Sequence, residues 1–173
     1  NVKKFWTYPD SGDSGLSLGA AFHAHYKYEK ATRSKKIMKL NHLYYGSNFT
    51  NEEIHKELIS KGIKYEKYDD IYDITAKLLA KNLTIGWFQG SMEIGPRALG
   101  NRSILMSPIN PENKNIINKK IKYREKFRPF CPSILEEEVS KWIKEPKEEK
   151  FMTSSFKVLK NQQSKIPAVV HID

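Results

Sequence analysis

Gly86-Trp87-Phe88-Gln89-Gly90-Ser91-Met92-Glu93-Ile94-Gly95-Pro96-Arg97-Ala98-Leu99-Gly100-Asn101-Arg102-Ser103 opens as an apolar run with strand character. It then breaks into a loop with glycine every four or five residues. The loop closes on Arg97, Asn101, Arg102 and Ser103. Glycine lets a backbone come close to a ligand, and arginine recognises phosphate or carboxylate through paired hydrogen bonds. A second basic run follows at residues 118–128, and the two together predict a pocket for a multiply charged anion.

Outward from this stretch, strands alternate with helices from residue 44 onward, which predicts a mixed α/β (α+β) domain. Thr50 with Glu53 forms a capping box that starts a helix over residues 51–61, and Gly62 stops it. Residues 63–68 read as a short strand and 72–81 as a second helix. Residues 84–88 form the strand that delivers the loop, and another strand starts at Ile104 and ends at Pro108. Residues 111–120 read as helical, 130–135 as extended, and 136–143 as a short helix with an acidic start. On the other side, residues 2–8 read as a strand and 9–15 as a polar turn. Residues 16–28 read as a helix, and a charged connector follows. The closing apolar run 166–172 reads as strand-like and as part of a domain that continues in a longer protein.

Composition narrows the function. The 173-residue chain is 39% hydrophobic and 12% aromatic, enough for a packed core, and its net charge of +10 suits anionic ligands. Cys131 is the only cysteine, so an intramolecular disulfide and a cysteine-rich metal site are excluded. No apolar run approaches the roughly 20 residues of a membrane helix, and no signal-peptide pattern is present. A reducing, cytoplasmic location is expected. The loop is neither a Walker A sequence nor Gly-x-Gly-x-x-Gly, so an ordinary dinucleotide fold is not expected.

Particular side chains then stand out. Arg97 and Arg102 suit bidentate phosphate contacts, or a surface pair. Glu93, between flexible glycines, suits a substrate amide, Mg²⁺, or a salt bridge to Arg97 or Arg102. Asn101 and Ser103 suit a nucleotide or carbonyl, or turn capping. If residues 122–128 are extended, Lys122, Arg124, Lys126 and Arg128 share one face. Arg124 and Arg128 are favoured, because Pro129 and Pro132 pin the chain beside them. Ser133 suits a phosphate contact, whereas Cys131 reads as a packing residue. Asp10 and Asp13 suit a cation or a helix cap, and His23 and His25 face different directions.

These residues resemble the NodU/CmcH family of O-carbamoyltransferases. The loop at residues 86–103 is similar to that family's most distinctive signature. Residues 118–133 are similar to its second block, 9–21 to the end of its first domain, and 167–173 to a later block. The resemblance implies three parts: residues 1–30 as the end of an actin-like, metal-binding transferase domain, 31–43 as a linker, and 44–173 as a YrdC-like domain, a mixed sheet flanked by helices. It implies ATP and Mg²⁺ as cofactors, with Fe²⁺ or another divalent metal in the first domain, where Asp13 matches a metal ligand. It implies that ATP and carbamoyl phosphate form carbamoyl adenylate, and that the N-terminal domain of the same protein passes the carbamoyl group to a hydroxyl acceptor. Arg97, Arg102, Lys122, Arg124 and Arg128 would bind phosphate and carbamoyl groups; Glu93, Gly95, Asn101, Ser103 and Ser133 would orient them. No membrane partner is expected. The rival readings are a basic RNA-binding module and a non-catalytic remnant that stabilises a partner.

Overall fold

A computed structural model describes residues 7–28 and 40–171. Residues 2–6 of the expected first strand and most of the connector lie outside this range, and Thr7 and Tyr8 are not in a strand. The α+β class holds, with helices α1 (Leu16–Tyr28), α2 (Asn51–Ser60), α3 (Ile71–Ala80) and α4 (Glu112–Ile116) and strands β1 (Ile85–Phe88) and β2 (Arg102–Leu105). The described sheet is one antiparallel pair, with Ile85 opposite Leu105 and Phe88 opposite Arg102.

Helix α2 starts where its capping box predicts. Glu53 N donates to Thr50 Oγ1 at 3.2 Å, and Thr50 N donates to Glu53 Oε2 at 2.7 Å. Gly62 follows the C-cap at φ +63°, a left-handed conformation in which glycine has no Cβ to clash. Helix α3 is capped by Asp70, whose Oδ1 accepts from Asp73 N at 2.9 Å. It leads into β1 through Asn82, which sits at φ +62°. Asn82 is held there by a reciprocal amide pair with the buried Asn113 of α4, at 2.5 and 3.3 Å.

Among the described residues the buried apolar ones are few: Leu43, Ile117, Ile143, Ile166 and Ala168. Ile117 begins a π-helical turn, Ile117–Ile121, that continues α4. Ile143 bridges Val158, and Ala168 N donates to Pro108 O at 3.1 Å, which closes the end of the described chain over the start of α4.

Three local expectations need correction. Residues 63–68 form no strand: Ile63, Tyr65 and Tyr68 are exposed, and no neighbouring strand completes a ladder. Residues 166–171 form no strand either. Pro167 starts a 3-10 turn, Pro167–Val169, which buries Ala168 behind Ile166. Residues 122–128 are not extended. Tyr123 takes φ +49°, and Arg128 N bonds back to Glu125 O at 3.2 Å, so the alternating-face argument does not apply there.

Candidate anion-binding site

The connection between β1 and β2, residues 89–101, is far longer than a hairpin turn needs. Its near arm is fastened to residues 43–47: Ile94 N donates to Leu43 O at 2.8 Å, Gly46 N to Met92 O at 2.8 Å, and Met92 N to Ser47 O at 2.9 Å. Tyr44 adds its hydroxyl to Leu99 O at 2.8 Å.

Glu93 organises the interior of the loop. It is buried, and its Oε1 accepts the backbone N–H groups of Leu99 at 2.6 Å, Asn101 at 2.9 Å and Arg102 at 3.3 Å. Burial pushes its carboxyl up, but the backbone N–H bonds outweigh that and hold it below the usual carboxylate value. Its partners are therefore amides of its own loop. The expected salt bridge to Arg97 or Arg102 does not form.

Arg102 is spent on the same loop. Its guanidinium donates to the carbonyls of Gln89 at 2.6 Å, Asn101 at 3.1 Å, Gly90 at 3.1 Å and Ser47 at 3.3 Å. Its Cζ lies 3.5 Å from the ring centroid of Phe88. Asn101 Nδ2 donates to Ser91 O at 2.7 Å, and Ser103 Oγ accepts from Gly100 N at 3.2 Å. These residues build the loop.

Arg97 is different. It sits on the exposed crest, and it forms no hydrogen bond or ion pair among the described residues. Gly95 lies two positions before it at φ +88°, with the Asp10 side chain 3.3 Å from where a Cβ on Gly95 would sit.

The second block is a separate hydrogen-bonded unit centred on Asn118, which is fully buried. Asn118 Oδ1 accepts from Arg124 Nε at 2.6 Å, and its Nδ2 donates to the carbonyls of Arg128 at 3.0 Å and Lys126 at 3.4 Å. Arg124 also lies 4.8 Å over the Phe130 ring. Arg128 is exposed and pairs with Glu125 Oε2 at 2.9 Å. Lys122, Lys126 and Ser133 are exposed, and their side chains have no hydrogen bond or ion pair among the described residues. No hydrogen bond or ion pair among the described residues joins this block to residues 86–103. Asn118 was missed as a site residue; its signal was an amide inside a lysine run, six positions before Arg124.

Cys131 makes only a weak contact, Sγ to Pro132 O at 3.6 Å, and burial followed by the nearby Glu149 pushes its thiol up. It is a poor nucleophile there. Asp13 is exposed, and no group of three metal-ligating side chains exists among the described residues, so these residues by themselves do not make a metal site. No described helix is long and apolar enough to cross a membrane. A cavity of about 180 Å³ opens beside the loop, lined by Asn41, His42, Leu43, Tyr44, Leu99 and Lys150.

Residues 76–173 match the family model for the carbamoyltransferase C-terminus. Nodulation protein NolNO of Sinorhizobium fredii is 37% identical over 95% of this chain and 25% of its own length. Nodulation protein NolO of Bradyrhizobium diazoefficiens is 36% identical over 95% of this chain and 31% of its own. An uncharacterised Synechocystis protein is 42% identical over 82% of this chain and 24% of its own. The chain thus spans about a quarter to a third of the length of these relatives. The match covers both the braced loop and the Asn118 block, and the chain belongs to the carbamoyltransferase C-terminus family.

Proposed function

We propose that this chain supplies the anion-binding, carbamoyl adenylate-forming part of an O-carbamoyltransferase. One observation carries the reading: the loop braces its own backbone through Glu93 and Arg102, while Arg97 on its crest has no hydrogen bond or ion pair among the described residues. A cation held out by a preorganised backbone is what a developing phosphoryl charge requires.

In this reading carbamoyl phosphate reacts with water to release phosphate and carbamate. A carbamate oxygen then attacks the α-phosphorus of ATP, the bond to the β-phosphate oxygen breaks, and pyrophosphate leaves. ATP would enter as its Mg²⁺ complex. Arg97, Lys122 and Arg128 contact the anions, with Arg128 exchanging Glu125 for substrate. Arg124 is held in place by Asn118, and Ser133 offers a neutral donor. The hydroxyl proton of Ser103 remains to be given, because its oxygen is the acceptor for Gly100. Arg102, Glu93 and Asn101 act by shaping the loop, and Gly95 by letting it turn. The cavity beside Leu99, with the stacked rings of His42 and Tyr44 near it, has the flat wall a purine base needs.

The test is carbamoyl-phosphate-dependent exchange of pyrophosphate into ATP, with the full-length protein. Arg97→Ala and Arg128→Ala should each lower the rate sharply without unfolding the protein. Normal rates in both variants overturn the assignment.

One observation keeps the RNA-binding reading in play: Tyr123 and Phe127 are 85% and 76% exposed among the lysines of the second block. Strongly salt-dependent RNA binding without any nucleotide effect would support that reading instead.

A further inference from the structure

The turn before α1 and the crest of the arginine loop are far apart in sequence and meet at one point. A Cβ built on Gly95 would lie 3.3 Å from both Cβ and Cγ of Asp10 and 3.6 Å from its Oδ1. Asp10 is buried, at 6% exposure, and its Oδ1 accepts the Ser14 hydroxyl at 2.5 Å. A Cβ on Gly15 would fall 1.9 Å from Asp10 O, so the turn closes tightly around this residue. On its other side the loop is already fastened to residues 43–47 by three backbone bonds.

We propose that Asp10 is a positioning residue for the arginine loop: tied to Ser14, it seats against the bare α-carbon of Gly95 and fixes the crest that carries Arg97. The backbone bonds to residues 43–47 hold the near arm, and Glu93 holds the far arm. Between them the crest, residues 95–98, has no hydrogen bond to another segment among the described residues, and the Asp10 contact is its outer stop. Gly95 is then favoured twice, once for its φ of +88° and once because Asp10 crowds the place a Cβ would take, at 3.3 Å. Displacing a substrate-positioning group by about 1 Å can cost on the order of 100-fold in rate, so a contact at this point bears directly on how the anion is held. The proposal rests on Arg97 being an anion contact, and its test is arranged to separate the two.

Full-length Asp10→Gly, Asp10→Asn, Gly95→Ala and the Asp10→Gly/Gly95→Ala double variant are compared in two measurements. The first is amide hydrogen exchange across residues 91–101 without any ligand. The second is KM for carbamoyl phosphate and kcat in the pyrophosphate-exchange assay. Asp10→Gly should expose the loop to faster exchange and raise KM about tenfold with little change in kcat. Asp10→Asn keeps the atoms that touch Gly95 and accept from Ser14, and should behave like the wild type. Gly95→Ala should be impaired, and removing the Asp10 side chain should recover part of that loss, since the crowding goes and the φ strain stays. Unchanged loop exchange in Asp10→Gly, or damage in Asp10→Asn equal to that in Asp10→Gly, overturns the proposal. If the wild type shows no carbamoyl-phosphate-dependent activity, the functional reading fails while loop exchange still decides the role of Asp10.

Discussion

Glu93→Ala removes the acceptor on which three backbone amides converge, at 2.6, 2.9 and 3.3 Å. A hydrogen bond to a charged group contributes about 1.5–3 kcal/mol, and a buried donor left without a partner costs about 1–3 kcal/mol. The 3.3 Å bond is long and counts least, and water entering the vacated space recovers part of the rest. The expected loss of stability is therefore about 3–5 kcal/mol. Glu93→Gln keeps one oxygen of the same reach but no charge, and should lose about 1–2 kcal/mol. Urea unfolding of the full-length protein, combined with hydrogen exchange at the Leu99, Asn101 and Arg102 amides, reads both effects. The three amides should lose protection together in Glu93→Ala. A change below about 0.5 kcal/mol with protection intact would mean that the carboxylate does not brace the loop.

Other consequences follow from the same contacts. Asn118→Ala should cost about 2–4 kcal/mol and free Arg124, seen as a lower urea midpoint together with weaker binding of carbamoyl phosphate by calorimetry. Arg102→Lys should destabilise by about 2–3 kcal/mol, because an ammonium cannot reach four carbonyls and lie flat on Phe88 at once; a thermal melt checks it. Arg97→Ala should leave the melt within about 0.5 kcal/mol of the wild type while lowering anion affinity. Burial pushes the carboxyls of Glu93 and Glu149 up, but hydrogen bonds outweigh it and hold both low: backbone N–H groups at Glu93, and at Glu149 the backbone N–H groups of Phe151 and Thr153 with the side chains of Ser154 and Thr153. Their contribution should be complete above the unfolded value of about 4.3 and vanish as pH falls through the lower folded values. A stability plateau that already slopes between pH 7 and pH 5, and is flattened by Glu93→Gln, would contradict this.

Local rules carried the helices and the delivery of the loop. Thr50 and Glu53 declare their roles by lying one helical turn apart, Gly62 by closing the same helix, and the structure places them accordingly. What failed needed a partner in space. Residues 63–68 have strand composition, but no neighbour offers them a ladder. The even spacing of Lys122, Arg124, Lys126 and Arg128 carried meaning only for an extended chain, and the π-helical turn before it redirects the backbone. Within the loop, residue types pointed to charge but could not tell a ligand contact from an internal brace. Arg97 and Arg102 look alike in sequence; four carbonyls and a phenyl ring separate them in space.

The braces of the arginine loop hold main-chain groups: Glu93 takes N–H groups and Arg102 gives to carbonyls. Main-chain groups are the same whatever side chain they carry. The shape of the loop is thus nearly independent of the identities of Arg97 and Ala98, while its chemistry depends on them. Substitutions on the crest can alter what the loop recognises at little cost to folding, and substitutions in the braces can abolish the loop without changing a ligand-facing group. Selection for a new anion and selection for a folded loop would therefore act on different residues, which leaves recognition free to drift on a fixed frame.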